Sequence, residues 1–143
     1  SGPGPALCTE EEVSRLVRDF YARVRLDDQL GPSFDARVHD WPTHLAQLTD
    51  FWSAVLRGTR RFRGAPVPKH MAIPELSAAL FLRWLDLFAQ TTAECGNPAM
   101  RREANAAAQS IADNLWQRYQ SDRDPFATPQ PLRPVSLLPI VGT

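Results

Sequence analysis

Cysteines are scarce in this chain, and long apolar runs are absent. The two cysteines, Cys8 and Cys95, have neither the CxxC spacing of zinc sites nor the spacing of a disulfide framework, so we predict free thiols. No apolar run approaches the ~20 residues that span a bilayer. The first residues also lack the basic and apolar regions of a signal peptide. These features predict a soluble, cytoplasmic protein with no membrane partner.

An excess of charge of either sign is absent as well. The 143 residues contain 16 Lys and Arg against 16 Asp and Glu, which gives no reason to expect a nucleic-acid partner. No internal repeat and no period-two alternation are visible, so β-structure is not predicted. The length suits one domain with a real core. We divide the chain into an N-terminal extension (1–8), an all-α domain (9–121) and a proline-rich tail (122–143).

Helix-start signals organise the domain. Thr9 and Glu12 form a predicted capping box for a first helix that ends near Asp27. Asp40 is the predicted cap of a helix from Trp41 to Arg57 that Gly58 closes. Between these helices, we expect a turn at Gly31-Pro32 and an isolated aromatic, Phe34, in a polar connector.

Prolines set the predicted limits of the second half. Pro74 suits the first position of a third long helix that runs to about Ala93. Gly96-Asn97-Pro98 interrupts the chain, and a fourth helix follows to about Tyr119. Five of the thirteen prolines fall within residues 125–139, so the tail cannot be a regular helix. Because residues 135–141 are apolar, we expect the tail to dock in extended form on its own domain or on a neighbouring molecule.

Two histidines are candidate ligands. His70 lies between Pro68 and Pro74, which together prevent a long helix and hold the imidazole on a short, stiff segment. His44 lies on the apolar stripe of the Trp41–Arg57 helix. Taken singly, each is more typical of a hydrogen-bonded core histidine than of a metal ligand. If the helix and the proline-bounded segment face each other, however, a porphyrin fits between the two imidazoles.

Several further segments occur in the order and spacing of a known family. They are Phe20-Tyr21, Leu30-Gly31-Pro32-Ser33-Phe34, Trp41 with His44, Phe51-Trp52, Gly64-Ala65-Pro66 with His70, and Arg83-Trp84-Leu85-Asp86-Leu87-Phe88. With this combination the chain resembles the truncated haemoglobins, and most of all their group III, because it has no Gly-Gly pair. The resemblance spans residues from about 13 to 119 and implies a truncated globin fold, a two-over-two helical sandwich around haem. The proline-rich tail is not part of the family pattern.

The resemblance also implies a site. His70 would be the proximal ligand of the iron in haem b (iron protoporphyrin IX). The implied distal residues are Tyr21, His44, Leu48 and Trp84. Phe34, Phe51, Trp52 and Met71 would contact the porphyrin. Arg60, Arg61, Arg63 and Lys69 are the candidates for binding the propionates, and the sequence does not choose among them.

The implied function is binding of dioxygen and other diatomic ligands, such as nitric oxide, carbon monoxide or cyanide, at a five-coordinate iron. A polar distal pocket should slow oxygen release, which favours redox chemistry, nitric oxide detoxification or sensing over bulk oxygen transport. An alternative is a haem enzyme with peroxidase-like activity that needs an unidentified reductase. A non-haem interaction module is a third possibility, and it predicts a colourless protein.

Overall fold

The structure is a computed structural model that describes residues 2–62 and 76–132. Over these residues the secondary structure is helical, with no strand. The helices are α1 (Glu10–Leu26), α2 (Leu30–Arg37), α3 (Trp41–Arg57), α4 (Ala78–Thr92) and α5 (Pro98–Arg123). The predicted all-α fold is confirmed. His70, Met71, Arg63 and Lys69 lie outside the described residues.

The predicted capping box at the start of α1 is confirmed. The Thr9 hydroxyl accepts a hydrogen bond from the Glu12 amide at 3.0 Å, and the Glu12 carboxylate accepts one from the Thr9 amide at 2.8 Å. Two amide groups that no helical carbonyl can reach are thereby satisfied. The helix ends where we predicted, with Asp27 as its C-cap.

The predicted turn at Gly31-Pro32 is wrong, because both residues belong to the first turn of α2. Proline is tolerated there, since its missing N–H has no helical acceptor in any case. The Asp27 carboxylate accepts hydrogen bonds from the amides of Gln29 and Leu30, both at 3.0 Å, and so supports the start of this helix. Phe34 therefore lies on a helix and not in a polar connector.

Helix α3 has the predicted bounds. The Asp40 carboxylate accepts from the Thr43 amide at 3.1 Å, and Gly58 closes the helix in the left-handed conformation (φ 74°). Glycine adopts that conformation at little steric cost. The apolar spacing and both end signals agree, which is why the sequence located this helix correctly.

Helix α4 begins later than predicted, and α5 ends later. Pro74 lies outside the described residues; the N-cap is Ser77, whose hydroxyl accepts from the Leu80 amide at 3.2 Å. The predicted break before α5 is confirmed, with Asn97 as the N-cap, but the helix continues beyond Tyr119 to Arg123.

Helix α1 is central to the packing. It contacts α2, α3 and α4, and α4 packs along α5. Small residues on α5, among them Ala104 and Ala108, are fully buried and allow its close approach. The approach of α1 to α2 is closer still, since a Cβ atom built on Gly31 would lie 2.6 Å from the Arg25 carbonyl oxygen. Cys8 and Cys95 are free thiols, as predicted. None of the described helices is long and apolar enough to span a membrane.

Candidate functional site

The part of α3 from Trp41 to Phe51 has an apolar face that protein covers only in part. Its half-buried side chains are Trp41, His44, Leu45, Leu48 and Phe51. The buried residues of this helix, by contrast, lie after Phe51 and are Trp52, Ser53 and Leu56. The apolar stripe before Trp52 is therefore available to a further apolar group.

Tyr21 of α1 brings a buried hydroxyl to this region. Its side chain is only 3% exposed. Burial raises the pKa of the Tyr21 phenol well above its usual range, an effect that the nearby Trp84 indole opposes in part. The phenol therefore keeps its proton, and it can donate that proton in a hydrogen bond to a ligand.

Aromatic rings from two other helices surround Tyr21. The ring centres of Phe34 and His44 lie 5.8 Å and 6.2 Å from that of Tyr21, both in edge-to-face geometry. The ring centre of Trp41 lies 5.5 Å from that of His44 and 6.2 Å from that of Tyr21. The structure thus brings together three side chains that we assigned to a site from the sequence, and it adds Trp41. The i,i+3 spacing of Trp41 and His44 on α3 was the pattern that could have identified this tryptophan.

Trp84 is held by the aromatic core behind the site. Its ring stacks on Phe88 at 5.7 Å and meets the edge of Phe20 at 5.3 Å. Trp52 stacks on the other side of this group, 5.0 Å from Phe88, and is only 2% exposed. The structure therefore places Trp52 in the core, where little of its ring is left to contact a ligand, whereas Phe51 and Leu48 lie on the half-buried face.

The predicted basic residues differ in their surroundings. Arg61 donates to the Glu10 carboxylate at 2.7 Å and lies 3.4 Å from that of Asp50. Arg57 donates to the same Glu10 side chain, and together these bonds attach the residues after α3 to the start of α1. Arg60 is exposed. Within residues 2–62 and 76–132, no group of three or more His, Cys, Asp or Glu side chains could hold a metal ion.

Comparison with known proteins identifies the family. The bacterial-like globin family matches residues 6–121 of the chain. The chain belongs to this family. The globin is 31% identical over 110 residues to the group 3 truncated hemoglobin of Campylobacter jejuni, a match that covers 74% of this chain and 87% of the relative. The crystal structure of the group III truncated hemoglobin from Campylobacter jejuni superposes with a TM-score of 0.70, covering 76% of this globin and 88% of that chain at 31% identity. The predicted truncated globin fold is confirmed.

Membership in this family makes the chain a haem protein that binds small gaseous ligands such as oxygen. The described residues of this globin fit such a group. The half-buried face of α3 offers apolar side chains to a flat ring, and Phe34 adds an aromatic ring from α2. Tyr21 and Trp84 supply hydrogen-bond donors beside that face.

Proposed function

We propose that this globin binds a diatomic ligand on haem b at a five-coordinate iron, and that it uses the bound ligand in redox chemistry, nitric oxide detoxification or sensing. The observation that carries the proposal is the buried Tyr21 hydroxyl, which keeps its proton beside a half-buried apolar face. In this proposal His70 is the axial ligand, as the resemblance to group III implies. Haem supplies the iron at which the diatomic ligand binds.

The chain's own residues would hold the ligand through hydrogen bonds. Tyr21 would donate its O–H to the polarised ligand, and Trp84 would offer its indole N–H as a second donor. A hydrogen bond to a charged acceptor contributes about 1.5–3 kcal/mol, which corresponds to about one to two factors of ten in the dissociation rate. Such retention favours chemistry on the ligand over bulk oxygen transport.

Other side chains of the site would position the porphyrin. Phe34 packs against its face, and Leu48 and Phe51 contact it from α3. Arg60 and Arg61 are the described candidates for the propionates, and the Arg61 guanidinium also binds Glu10 and Asp50. Arg63 and Lys69 remain candidates on the sequence alone.

A peroxidase-like haem enzyme that depends on a reductase is the second candidate. Assistance to O–O cleavage needs a group that gives up a proton near neutral pH. The raised pKa of the Tyr21 phenol makes it a poor proton source, whereas His44 offers an imidazole, the side chain that most often serves as general acid or base. The second candidate therefore depends on His44, and the first depends on Tyr21.

Two measurements test the proposal. The purified protein should show a Soret band that changes in His70→Gly and is restored by added imidazole; a colourless protein would overturn the haem assignment.

Tyr21→Phe should accelerate oxygen dissociation about 10- to 100-fold, and Tyr119→Phe, which alters the chain's other tyrosine, serves as the control. An unchanged rate in Tyr21→Phe would contradict its role. Steady peroxide turnover that a reductase sustains and that His44→Leu abolishes would favour the enzyme.

A further inference from the structure

Helix α2 is held by little apolar packing of its own. It has only eight residues, and its buried residues are Leu30 and Gly31. Helices of this length are marginal without tertiary support. The residue that precedes α2 makes no side-chain capping bond, and the ion pair between Arg25 and Asp35 is exposed at 3.4 Å, a kind that contributes little. The position of α2, and of Phe34 on it, must therefore depend on other bonds.

Those bonds come from Asp27, the residue that ends α1. Its side chain is only 4% exposed. Oδ2 accepts from the amides of Gln29 and Leu30, both at 3.0 Å, and the backbone carbonyl of Asp27 accepts from the Gly31 amide at 2.9 Å. The other carboxylate oxygen, Oδ1, accepts from Nε of Arg83 at 2.7 Å. One residue thus joins the end of α1 and the start of α2 to α4.

The Asp27 carboxylate is charged in these surroundings. Burial raises its pKa, but the bonds from Leu30, Arg83 and Gln29 outweigh burial and hold the pKa below its usual value. A hydrogen bond between two ionised partners is stronger than one between neutral groups. Removal of Arg83 would also leave a carboxylate that water can hardly reach, which is unfavourable. The bond between Asp27 and Arg83 is therefore the one whose loss should disturb this junction of three helices.

We propose that Asp27 and Arg83 are positioning residues for Phe34: their bond holds α2 where the Phe34 ring lies beside Tyr21. The two ring centres are 5.8 Å apart in edge-to-face geometry, although the rings belong to different helices. Tyr21 lies on α1, which Asp27 ends, so the junction connects the helices that carry both rings. Without the bond, α2 would move outward and take Phe34 with it. The consequence for haem binding rests on the proposed function, in which Phe34 packs against the porphyrin.

The first test is a double-mutant cycle on haem loss to an acceptor apoglobin. Arg83→Met removes the guanidinium and keeps most of the side-chain length, and we expect it to accelerate haem loss about threefold. Phe34→Ala should accelerate haem loss further. Because Arg83 acts through the Phe34 ring, Arg83→Met should add nothing in the Phe34→Ala background. Effects that multiply in the double variant would overturn the positioning role.

Arg23→Met is the matched control. The Arg23 side chain on α1 donates to Thr91 at 2.9 Å and to Glu94 at 2.7 Å, so it also ties α1 to the end of α4, through bonds that do not involve α2. Arg23→Met should lower the melting temperature and leave the rate of haem loss unchanged. Equal acceleration in Arg23→Met and Arg83→Met would mean general destabilisation and would contradict the proposal.

A second readout separates this inference from the proposed function. The nuclear Overhauser effect between the Phe34 and Tyr21 rings reports their distance in the diamagnetic carbon monoxide complex, or in the purified protein if that is colourless. It should weaken in Arg83→Met and in the milder Asp27→Asn, which keeps the size of the side chain, but not in Asp28→Asn at the exposed neighbouring position. A colourless protein would refute the proposed function alone. An unchanged effect in both Arg83→Met and Asp27→Asn would overturn the role of the junction.

Discussion

Helices α1 and α3 have the same length but differ in how much of their apolar stripe is buried. Each has 17 residues and a clear apolar stripe, but α1 buries six residues along its whole length, whereas α3 buries three, all in its second half. The stripe of α1 is covered by three other helices. The α3 stripe from Trp41 to Phe51 remains half-buried.

This difference in burial indicates which apolar face of the globin is available to its cofactor. An apolar stripe predicts burial, but it does not say what covers it. On α1 the cover is protein, and the stripe contributes to folding. On α3 we propose that the cover is the porphyrin, so the same pattern contributes to binding. Substitutions on the two helices should therefore differ in what they damage.

The largest expected effect is on α1. Phe20 is fully buried and contacts three other aromatic rings, Tyr21, Trp84 and Phe88. Phe20→Ala should lower the free energy of unfolding by about 3–5 kcal/mol, through lost contacts and the cavity left behind. Urea unfolding of the haem-loaded protein measures this loss. Phe126→Ala is the control, because this side chain is 98% exposed and its removal should change little. A loss below about 1 kcal/mol in Phe20→Ala would show that α1 is not the centre of the core.

A pair of leucines sharpens the comparison directly. Leu16→Ala on α1 should destabilise the fold by about 2–5 kcal/mol. Leu48→Ala on α3 should lower stability less, and instead accelerate haem loss to an acceptor apoglobin about fivefold, which corresponds to about 1 kcal/mol of lost contact with the porphyrin. Equal rates of haem loss in Leu48→Ala and the unmodified protein would contradict the assignment of this face to haem.

The caps of the two helices should have smaller effects. Thr9→Ala removes one half of the capping box of α1 and should lower the free energy of unfolding by about 1 kcal/mol. Asp40→Ala removes the cap of α3 and should lower the free energy of unfolding by a similar amount. Thr9→Ser, which keeps the hydroxyl, should retain the stability of the unmodified protein; if it behaves like Thr9→Ala, the hydrogen bond is not the cause.

The smallest effect concerns the carboxylate that joins α1 to α3. The hydrogen bond from Arg61 is the largest influence on the pKa of Glu10 and holds it below its usual value. Burial opposes this lowering, and the bonds from Ser53 and Arg57 add to it. Because the folded-state pKa is lowered, this contribution to stability is present above the unfolded pKa and is lost as the pH falls through the folded one. The melting temperature of Glu10→Gln should therefore fall less than that of the unmodified protein when the pH is lowered from about 6 to about 3.5. Glu11→Gln, at the exposed neighbouring position, should follow the unmodified protein; a parallel fall in all three would exclude Glu10 as the titrating group.

The sequence located helices wherever several local signals agreed. For α1 and α3, cap residues, apolar spacing and terminators coincide, and both helices have the predicted bounds. It failed at α2, because Gly31-Pro32 is equally typical of a turn and of a first helical turn. It also failed at the start of α4, which we predicted at Pro74 but which lies at Ala78, after the cap Ser77. In each case one side chain, Asp27 for α2 and Ser77 for α4, accepts the hydrogen bond that starts the helix. The sequence does not distinguish that role from a place in an ordinary loop.

The candidate site was predictable as a set of residues and not as an arrangement. The family resemblance selected Tyr21, His44 and Phe34, but the ring contacts that bring α2 and α3 against Tyr21 of α1 have no local pattern. The pairing of Arg61 with Glu10 is equally non-local, so a basic loop that resembled a propionate site contains one arginine already bound. His70 remains a prediction from the sequence.

Gly31 affects the size of this pocket, although it is not one of the residues that we assign to ligand contact. Its missing methyl group lets α2 approach the Arg25 carbonyl, and Phe34 lies three residues further on the same helix. Any larger residue would push α2 outward and carry the Phe34 ring away from Tyr21. The distance between the Phe34 ring and the Tyr21 hydroxyl therefore depends on the absence of a side chain at Gly31. Relatives that differ at this position should differ in pocket volume even where every pocket-lining residue is the same.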